Sequence, residues 1–382
     1  FGSHDHEGIR YTFRFKMLIC TALSLLGAAF FYTMGTPLIG LYLLGEGDPA
    51  EAAQVLGYGL DYLHVMLWGL IPFALSNAYA STLRETGETT VPMVAGVTAV
   101  FVNLVLNYVL IFGHFGAPAM GVEGAALATV ISRVVEMIYV LAHAHLNIGK
   151  YRFLQNAYAS WHIPGELIRR ITVTGFPLLV NEILWSLGMT FINQSYSMCG
   201  VESLAAVNIA STAWNLFCVI MFAMGNAVAI MVGQQLGAGN KEGARDVDRK
   251  LIFFSMVAHV IMGGLLIACS GVIPLMYNIG DDMRRVTQQL LVIAGASLPI
   301  HSYVHVVYFT IRSGGKTFIT FLFDSAYLWV ISIPLARLLA VGTAWPVLVV
   351  YFITQFIDLI KVALGAYLIH KGVWINNIVD QK

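Results

Sequence analysis

Seven ionisable residues fall inside apolar stretches of this chain: Arg133, Glu136, Glu182, Asp324, Arg337, Asp358 and Lys361. A charge in an apolar medium is costly, so each must be paired, neutralised or bound to an ion. Glu182, in Val180-Asn181-Glu182-Ile183-Leu184-Trp185, sits about ten residues into its apolar run. A carboxylate there can hold a proton or a cation, or make a structural hydrogen bond to a neighbouring helix. Asp324 lies about seven residues into another run and either does the same or pairs with Lys316 or Arg312. Asp358 and Lys361 are three apart, as are Arg133 and Glu136, so each couple shares a helix face and reads as an internal ion pair.

A second group offers oxygen atoms. Asn103 and Asn107 are four apart on one helix face, and Thr129 on the next helix could add a hydroxyl. Oxygen ligands suit hard cations, while two Asn can equally hold helices together by hydrogen bonds. His301 and His305 share a face, but His301-Ser-Tyr-Val-His305 lacks the glutamate of a zinc-protease helix. They read as a polar cleft lining, a proton relay or packing. Trp185, Met189 and Trp214 could join them around a bulky organic cation, or could face lipid and neighbouring helices. No Gly-x-Ser-x-Gly elbow is present. An enzyme is therefore not expected, nor are catalytic residues, a bound metal or a cofactor beyond a coupling ion.

The elements that carry these residues are membrane helices. Hydrophobic residues make up 58% and charged residues 11% of the chain, with a net charge of zero, against about 25% charged in a soluble domain. Neutral charge gives no sign of a nucleic-acid partner. Cys20, Cys199, Cys218 and Cys269 stand singly in apolar runs and read as buried small hydrophobes. Ten stretches are long and apolar enough to span a bilayer: 17–44, 58–83, 92–113, 123–146, 172–198, 203–235, 251–278, 286–311, 317–341 and 346–370. The sixth is long enough to include an interfacial turn near Gly233. The fold class is all-α integral membrane.

Two signatures recur about 235 positions apart. Gly2-Ser-His-Asp-His-Glu-Gly8 is echoed by Gly237-Ala-Gly-Asn-Lys-Glu-Gly243, with Arg10 and Arg245 at the same offset. Pro72 leading to Arg84-Glu-Thr-Gly87 is echoed by Pro299 leading to Arg312-Ser-Gly-Gly315. Two weakly similar halves are the sequence sign of a repeat-built transporter. The expected organisation is an N-lobe over 1–146, a cytoplasmic linker with an amphipathic surface helix over 147–171, and a C-lobe over 172–382. In the second half two apolar stretches precede the repeated segment, and none precedes it in the first. This comparison predicts two further spans, roughly 60 residues, ahead of Phe1.

Basic residues set the orientation. Alternate connections hold sixteen Lys and Arg, including both ends, against Arg284 and Arg285 in the others. The excess belongs on the cytoplasmic side, so both termini and the 147–171 segment are expected there.

Several stretches closely resemble the multidrug and toxic compound extrusion (MATE) family. They are Arg84-Glu-Thr-Gly-Glu-Thr-Thr-Val-Pro-Met93, Asn103-Leu-Val-Leu-Asn107-Tyr-Val-Leu-Ile-Phe-Gly113, Gly121-Val-Glu-Gly-Ala-Ala-Leu-Ala-Thr129, Gly175-Phe-Pro177 and Gly233-Gln-Gln-Leu-Gly-Ala-Gly-Asn-Lys-Glu-Gly-Ala-Arg245. The resemblance implies two pseudo-symmetric lobes with twelve helices in the family and ten here, the chain beginning after the family's second helix. It implies a plasma-membrane antiporter, a monomer surrounded by lipid, that exports small organic, often cationic, drugs or toxic metabolites against Na+ or H+. A lipid-linked oligosaccharide flippase of the same superfamily is the alternative, although it wants a more basic cavity. The family places a transport glutamate on the helix of Glu182, and its N-lobe cation site draws on the helices of Asn103, Asn107 and Thr129 with an acid on a helix absent here. Some relatives carry an acid after the Gly-Gly turn, where this chain has Lys316-Thr317.

The orientation is directly testable with single cysteines. A cysteine at Glu202 is expected to react with an impermeant maleimide from outside the cell, and one at Arg170 after permeabilisation. The opposite pattern would invert the assignment.

Overall fold

The computed structural model describes residues 2, 5–42, 49–343 and 345–376. Among them the regular structure is helical, with no strand. Nine of these helices are long and apolar enough to cross a membrane, or ten when one bent pair is counted as a span. The chain divides into two compact units, Ser3–Ile168 and Arg169–Lys382.

The first unit begins with α1, His6–Tyr42, which starts well before the expected position 17. Its polar first turns are helical because their charges find partners. The Asp5 carboxylate accepts the Gly8 N–H at 2.8 Å, and Lys16 pairs with Glu85 at 2.6 Å. The expected end of that span, at 44, lies outside the described residues. The next span is two helices, α2 (Pro49–Leu67) and α3 (Leu70–Glu85), bent by 43°. Pro72 cannot donate to the Trp68 carbonyl, which releases the chain there. At the bend a Cβ on Gly69 would press within 3.2 Å of the Met66 carbonyl and 3.3 Å of Val130. Helices α4 (Thr90–Phe112) and α5 (Gly121–Leu146) form a hairpin.

The segment after α5 corrects the expected surface helix. It holds a short 3-10 helix, Arg152–Leu154, flanked by turns, before the next helix starts at Gly165. Tyr151, Phe153, Leu154 and Ala157 are buried with Phe13, Tyr79 and Leu83 in the unit's core. Asn156 reverses the chain at φ 58, a conformation Asn tolerates. The reversal turns carbonyls inward, and buried Arg14 collects them: Nε donates to Ala157 at 2.7 Å, Nη1 to His162 at 3.1 Å and Nη2 to Asn156 at 2.8 Å. The Lys150 ammonium donates to Glu88 and holds its carboxyl below the usual range. Burial pushes the Tyr158 phenol up to about 12.

The second unit contains α6 (Gly165–Ser197), α7 (Val201–Phe217), α8 (Val219–Gly237), α9 (Lys241–Cys269), α10 (Asp281–Ser313), α11 (Thr317–Gly342) and α12 (Val347–Lys371). The expected 203–235 span is interrupted at Cys218, not near Gly233, which lies within α8. The repeated Gly237–Gly243 motif is a tight turn. Gly239 takes φ 75, and the Asn240 side chain caps α9 by accepting the Gly243 N–H at 2.9 Å. Helices α9 and α10 cross closely because a Cβ on Gly263 would lie 2.3 Å from the Gly295 carbonyl. Of the four cysteines expected to be buried, Cys218 is, Cys20 and Cys199 are partly so, and Cys269 is exposed.

Arg14→Met removes three charge-assisted hydrogen bonds and strands their carbonyls, at a cost of about 3 kcal/mol or more. The expected outcome is a lower melting temperature with new proteolytic cuts within 147–164. A variant as protease-resistant as the parent would contradict this role.

Candidate functional site

In the first unit the structure brings Asn103, Asn107 and Thr129 together. The Asn107 amide donates to the Asn103 carbonyl oxygen at 3.0 Å, and the Asn103 amide donates to the Thr129 hydroxyl at 3.3 Å. That hydroxyl donates in turn to the Ala125 carbonyl at 3.0 Å. The Asn107 carbonyl oxygen is buried with no hydrogen-bond partner. Close packing of α4 on α5 makes the file possible, since a Cβ on Gly124 would meet the Leu110 carbonyl at 2.7 Å. The Arg133–Glu136 pair forms as its spacing suggests, at 2.9 Å.

The second unit carries the larger constellation. Asn181, on α6, is 1% exposed. Its amide donates to the Tyr308 hydroxyl at 3.2 Å and to Asp324 Oδ2 at 3.1 Å. Its side-chain oxygen accepts the Ser325 N–H at 3.2 Å, and its backbone carbonyl accepts the Ser325 hydroxyl at 2.8 Å. Tyr308, on α10, donates to Glu182 Oε1 at 3.1 Å. Arg312 lies 3.6 Å from the same carboxylate. At the other end, Lys361 Nζ, on α12, stands 3.3 Å from Asp324 Oδ1. The result is an unbroken file, Arg312–Glu182–Tyr308–Asn181–Asp324–Lys361, across four helices.

Local backbone features place these groups. Asp324 lies in a π turn, Leu322–Ala326, followed by a second, Leu328–Ser332; such turns re-aim side chains within a helix. Gly188 lets α11 approach α6, because a Cβ there would meet Leu328 at 2.4 Å. Trp329 then donates its indole N–H to the Leu184 carbonyl at 2.9 Å.

Several expected pairings are corrected. Lys361 pairs with Asp324 rather than with Asp358, whose Oδ2 lies 3.9 Å from His301 Nε2. Asp324 takes neither Lys316 nor Arg312; the latter goes to Glu182. Helical spacing permits Asp358 and Lys361 to meet, but the α11 carboxylate points directly at the ammonium. Glu182 is not deeply buried: its side chain is 58% exposed, against 7% for Lys361. The expected cleft residues divide. Trp214 meets His301 edge-on at 5.9 Å. His305 is wedged between Phe222 and Phe309, opposite Gly225, with its Nε2 lacking a hydrogen-bond partner. Trp185 and Met189 are exposed on α6. Sequence reasoning missed Asn181 and Tyr308, although Tyr308 and Arg312 are four apart and so share a face of α10. Among the described residues no group of three or more His, Cys, Asp or Glu could hold a metal ion.

The MatE family model matches residues 1–109 and 177–338, more than half of the chain. The chain belongs to the MatE family. A relative named multidrug resistance protein MdtK from Edwardsiella ictaluri is 27% identical over 335 residues, covering 84% of this chain and 69% of that protein. The probable multidrug resistance protein NorM of Thermotoga maritima is 29% identical over 59% of this chain, and that match spans 47% of the relative's length. A solved structure of MATE in the bent conformation superposes with a TM-score of 0.81 at 17% identity, over 97% of this chain and 80% of that one. An outward-facing multidrug resistance MATE transporter gives 0.80 at 18% identity, over 97% and 81%. These neighbours establish the all-helical MATE fold of a multi-pass membrane protein.

The two carboxylates of this MatE unit differ in what their loss should do. Asp324→Asn leaves the ammonium of Lys361 buried without a counter-charge, a change that costs about 3 kcal/mol. Glu182→Gln frees Arg312, which is 35% exposed and can be hydrated. Melting temperatures should therefore fall clearly for Asp324→Asn and little for Glu182→Gln. Equal falls would contradict the burial-based ranking.

Proposed function

We propose that this MatE protein is a cation-coupled efflux antiporter that exports small organic, often cationic, drugs or toxic metabolites by alternating access. It works as a monomer in the plasma membrane, both termini cytoplasmic, with no nucleic-acid partner. The observation that carries the reading is the charged file in the second unit. Two carboxylates and two cations held inside an apolar helical unit are expensive, and a carrier that exchanges a cation for substrate is a reason to keep them. The names of the relatives, multidrug resistance proteins, support an organic substrate. Glu182 is the carboxylate best placed to exchange a coupling cation, because it is both hydrogen-bonded and exposed. Asn103, Asn107 and Thr129 contribute oxygen atoms to a second cation position in the first unit. His301 and Trp214 serve the substrate surface. A flippase that holds a pyrophosphate needs unpaired cations, whereas Arg133, Arg312 and Lys361 each face a carboxylate and Arg337 bonds Gln194 at 3.1 Å.

Glu182→Gln keeps shape and hydrogen bonding while removing charge. In cells lacking their own exporters it should lower ion-driven drug efflux by roughly 5- to 150-fold, the usual scale of a lost coupling between two binding sites, at unchanged expression. Parental drug resistance in the variant would reject a coupling role for Glu182.

A further inference from the structure

A metal cation bound by a protein replaces its hydration shell with oxygen lone pairs, about 6 to 8 of them in the case of Ca2+. The cluster around Asp324 contains a carboxylate, an amide, a phenol and a serine hydroxyl, which on composition alone would suit such an ion. The hydrogen-bond directions say otherwise. The Asn181 amide group, not its oxygen, faces Asp324, at 3.1 Å. The Asn181 oxygen is occupied by the Ser325 N–H at 3.2 Å, and the Ser325 hydroxyl donates away to the Asn181 carbonyl at 2.8 Å. The Tyr308 oxygen accepts from Asn181 and gives its proton to Glu182. What remains is the second oxygen of Asp324, and there the Lys361 ammonium stands at 3.3 Å. That ammonium is buried and lies over the faces of Tyr327 at 5.0 Å and Phe323 at 5.9 Å, so aromatic rings hold it in place.

We propose that Lys361 is a specificity-determining residue: a tethered counter-cation that occupies the metal position on Asp324 and bars Na+ from the second unit's buried pocket. The inference rests on the reading of this unit as cation-coupled and narrows which cation it accepts. Na+ would have to displace an ammonium that cannot diffuse away and would find one free oxygen partner. A proton needs a single lone pair and is not barred by the same geometry. Arg312 provides a looser version of the same arrangement at Glu182, being 35% exposed against 7% for Lys361 and standing 3.6 Å from its carboxylate.

The test measures radiolabelled Na+ binding to the purified protein in lipid nanodiscs, with choline as the replacement cation. Na+ binding that depends on Asp324 should be undetectable in the parent, so that parent and Asp324→Asn bind alike. Lys361→Met, which keeps the apolar stem and removes the charge, should gain a site of at least tenfold higher Na+ affinity. Adding Asp324→Asn to Lys361→Met should abolish the gain, and Lys361→Arg should show none. Na+ binding by the parent that Asp324→Asn removes would overturn the proposal, and so would a folded Lys361→Met variant without new Na+ affinity. Should Lys361→Met not fold, Lys361→Leu is read in its place, with the same gain of Na+ affinity expected and its absence in a folded variant overturning the proposal. Drug export is not read in this assay, so its outcome is independent of whether the protein is an exporter.

Discussion

Every charge placed inside an apolar helical unit must be answered by another group in the same unit, and the second unit of this protein is organised around that constraint. Bilayer hydrocarbon offers no water to satisfy a stray ion or amide. Asn181 resolves the problem by using both ends of its side chain, donating to Tyr308 and Asp324 and accepting from Ser325. This ties α6 to α10 and α11 at one level, while Lys361 adds α12. The π turns of α11 and the small residue Gly188 on α6 follow from it: they bring Asp324 and Ser325 within reach of Asn181. Asp324 is answered on both oxygens and largely shielded, whereas Glu182 is answered but exposed.

The first unit meets the same constraint with a different residue. Arg14 gathers three inward carbonyls of an irregular segment, so that backbone without helical hydrogen bonds can sit against the core. The part-buried file of Asn103, Asn107 and Thr129 is neutral, with one oxygen unanswered. The two files therefore carry different polar chemistry, one uncharged and short of a donor, the other charged and internally balanced.

The helical class and the positions of the spans were legible because long apolar runs have few alternatives. Their ends were less so. The first span was expected to start at 17, yet charged residues 6–16 are helical because Lys16 and Arg14 find partners far along the sequence. The segment 147–164 looked amphipathic, but Asn156 and the carbonyls gathered by Arg14 override helix formation. At the site, the ionisable residues could be picked out by their cost, and neighbours at helical spacing such as Arg133 and Glu136 could be paired. Partners on different helices could not: Lys361 was nearer in sequence to Asp358 than to Asp324, and nothing local shows that α11 unwinds into π turns. Tyr308 and Asn181 escaped notice because neither carries the burial cost of a charge, and Asn181 lacks the second amide at helical spacing that marked Asn103 and Asn107.

Tyr308 and Asn181 join Glu182 to Asp324 by hydrogen bonds, and this link should make the two carboxylates act together. The most direct measurement is a double-mutant cycle on ion-driven drug efflux with Glu182→Gln, Asp324→Asn and the combination, normalised to folded protein. Coupled residues show interaction energies of about 0.5–3 kcal/mol, so the double variant should be clearly less impaired than the product of the single effects. Single effects that multiply, with an interaction energy of about 0.3 kcal/mol or less, would show that the file is a set of independent contacts and contradict the account.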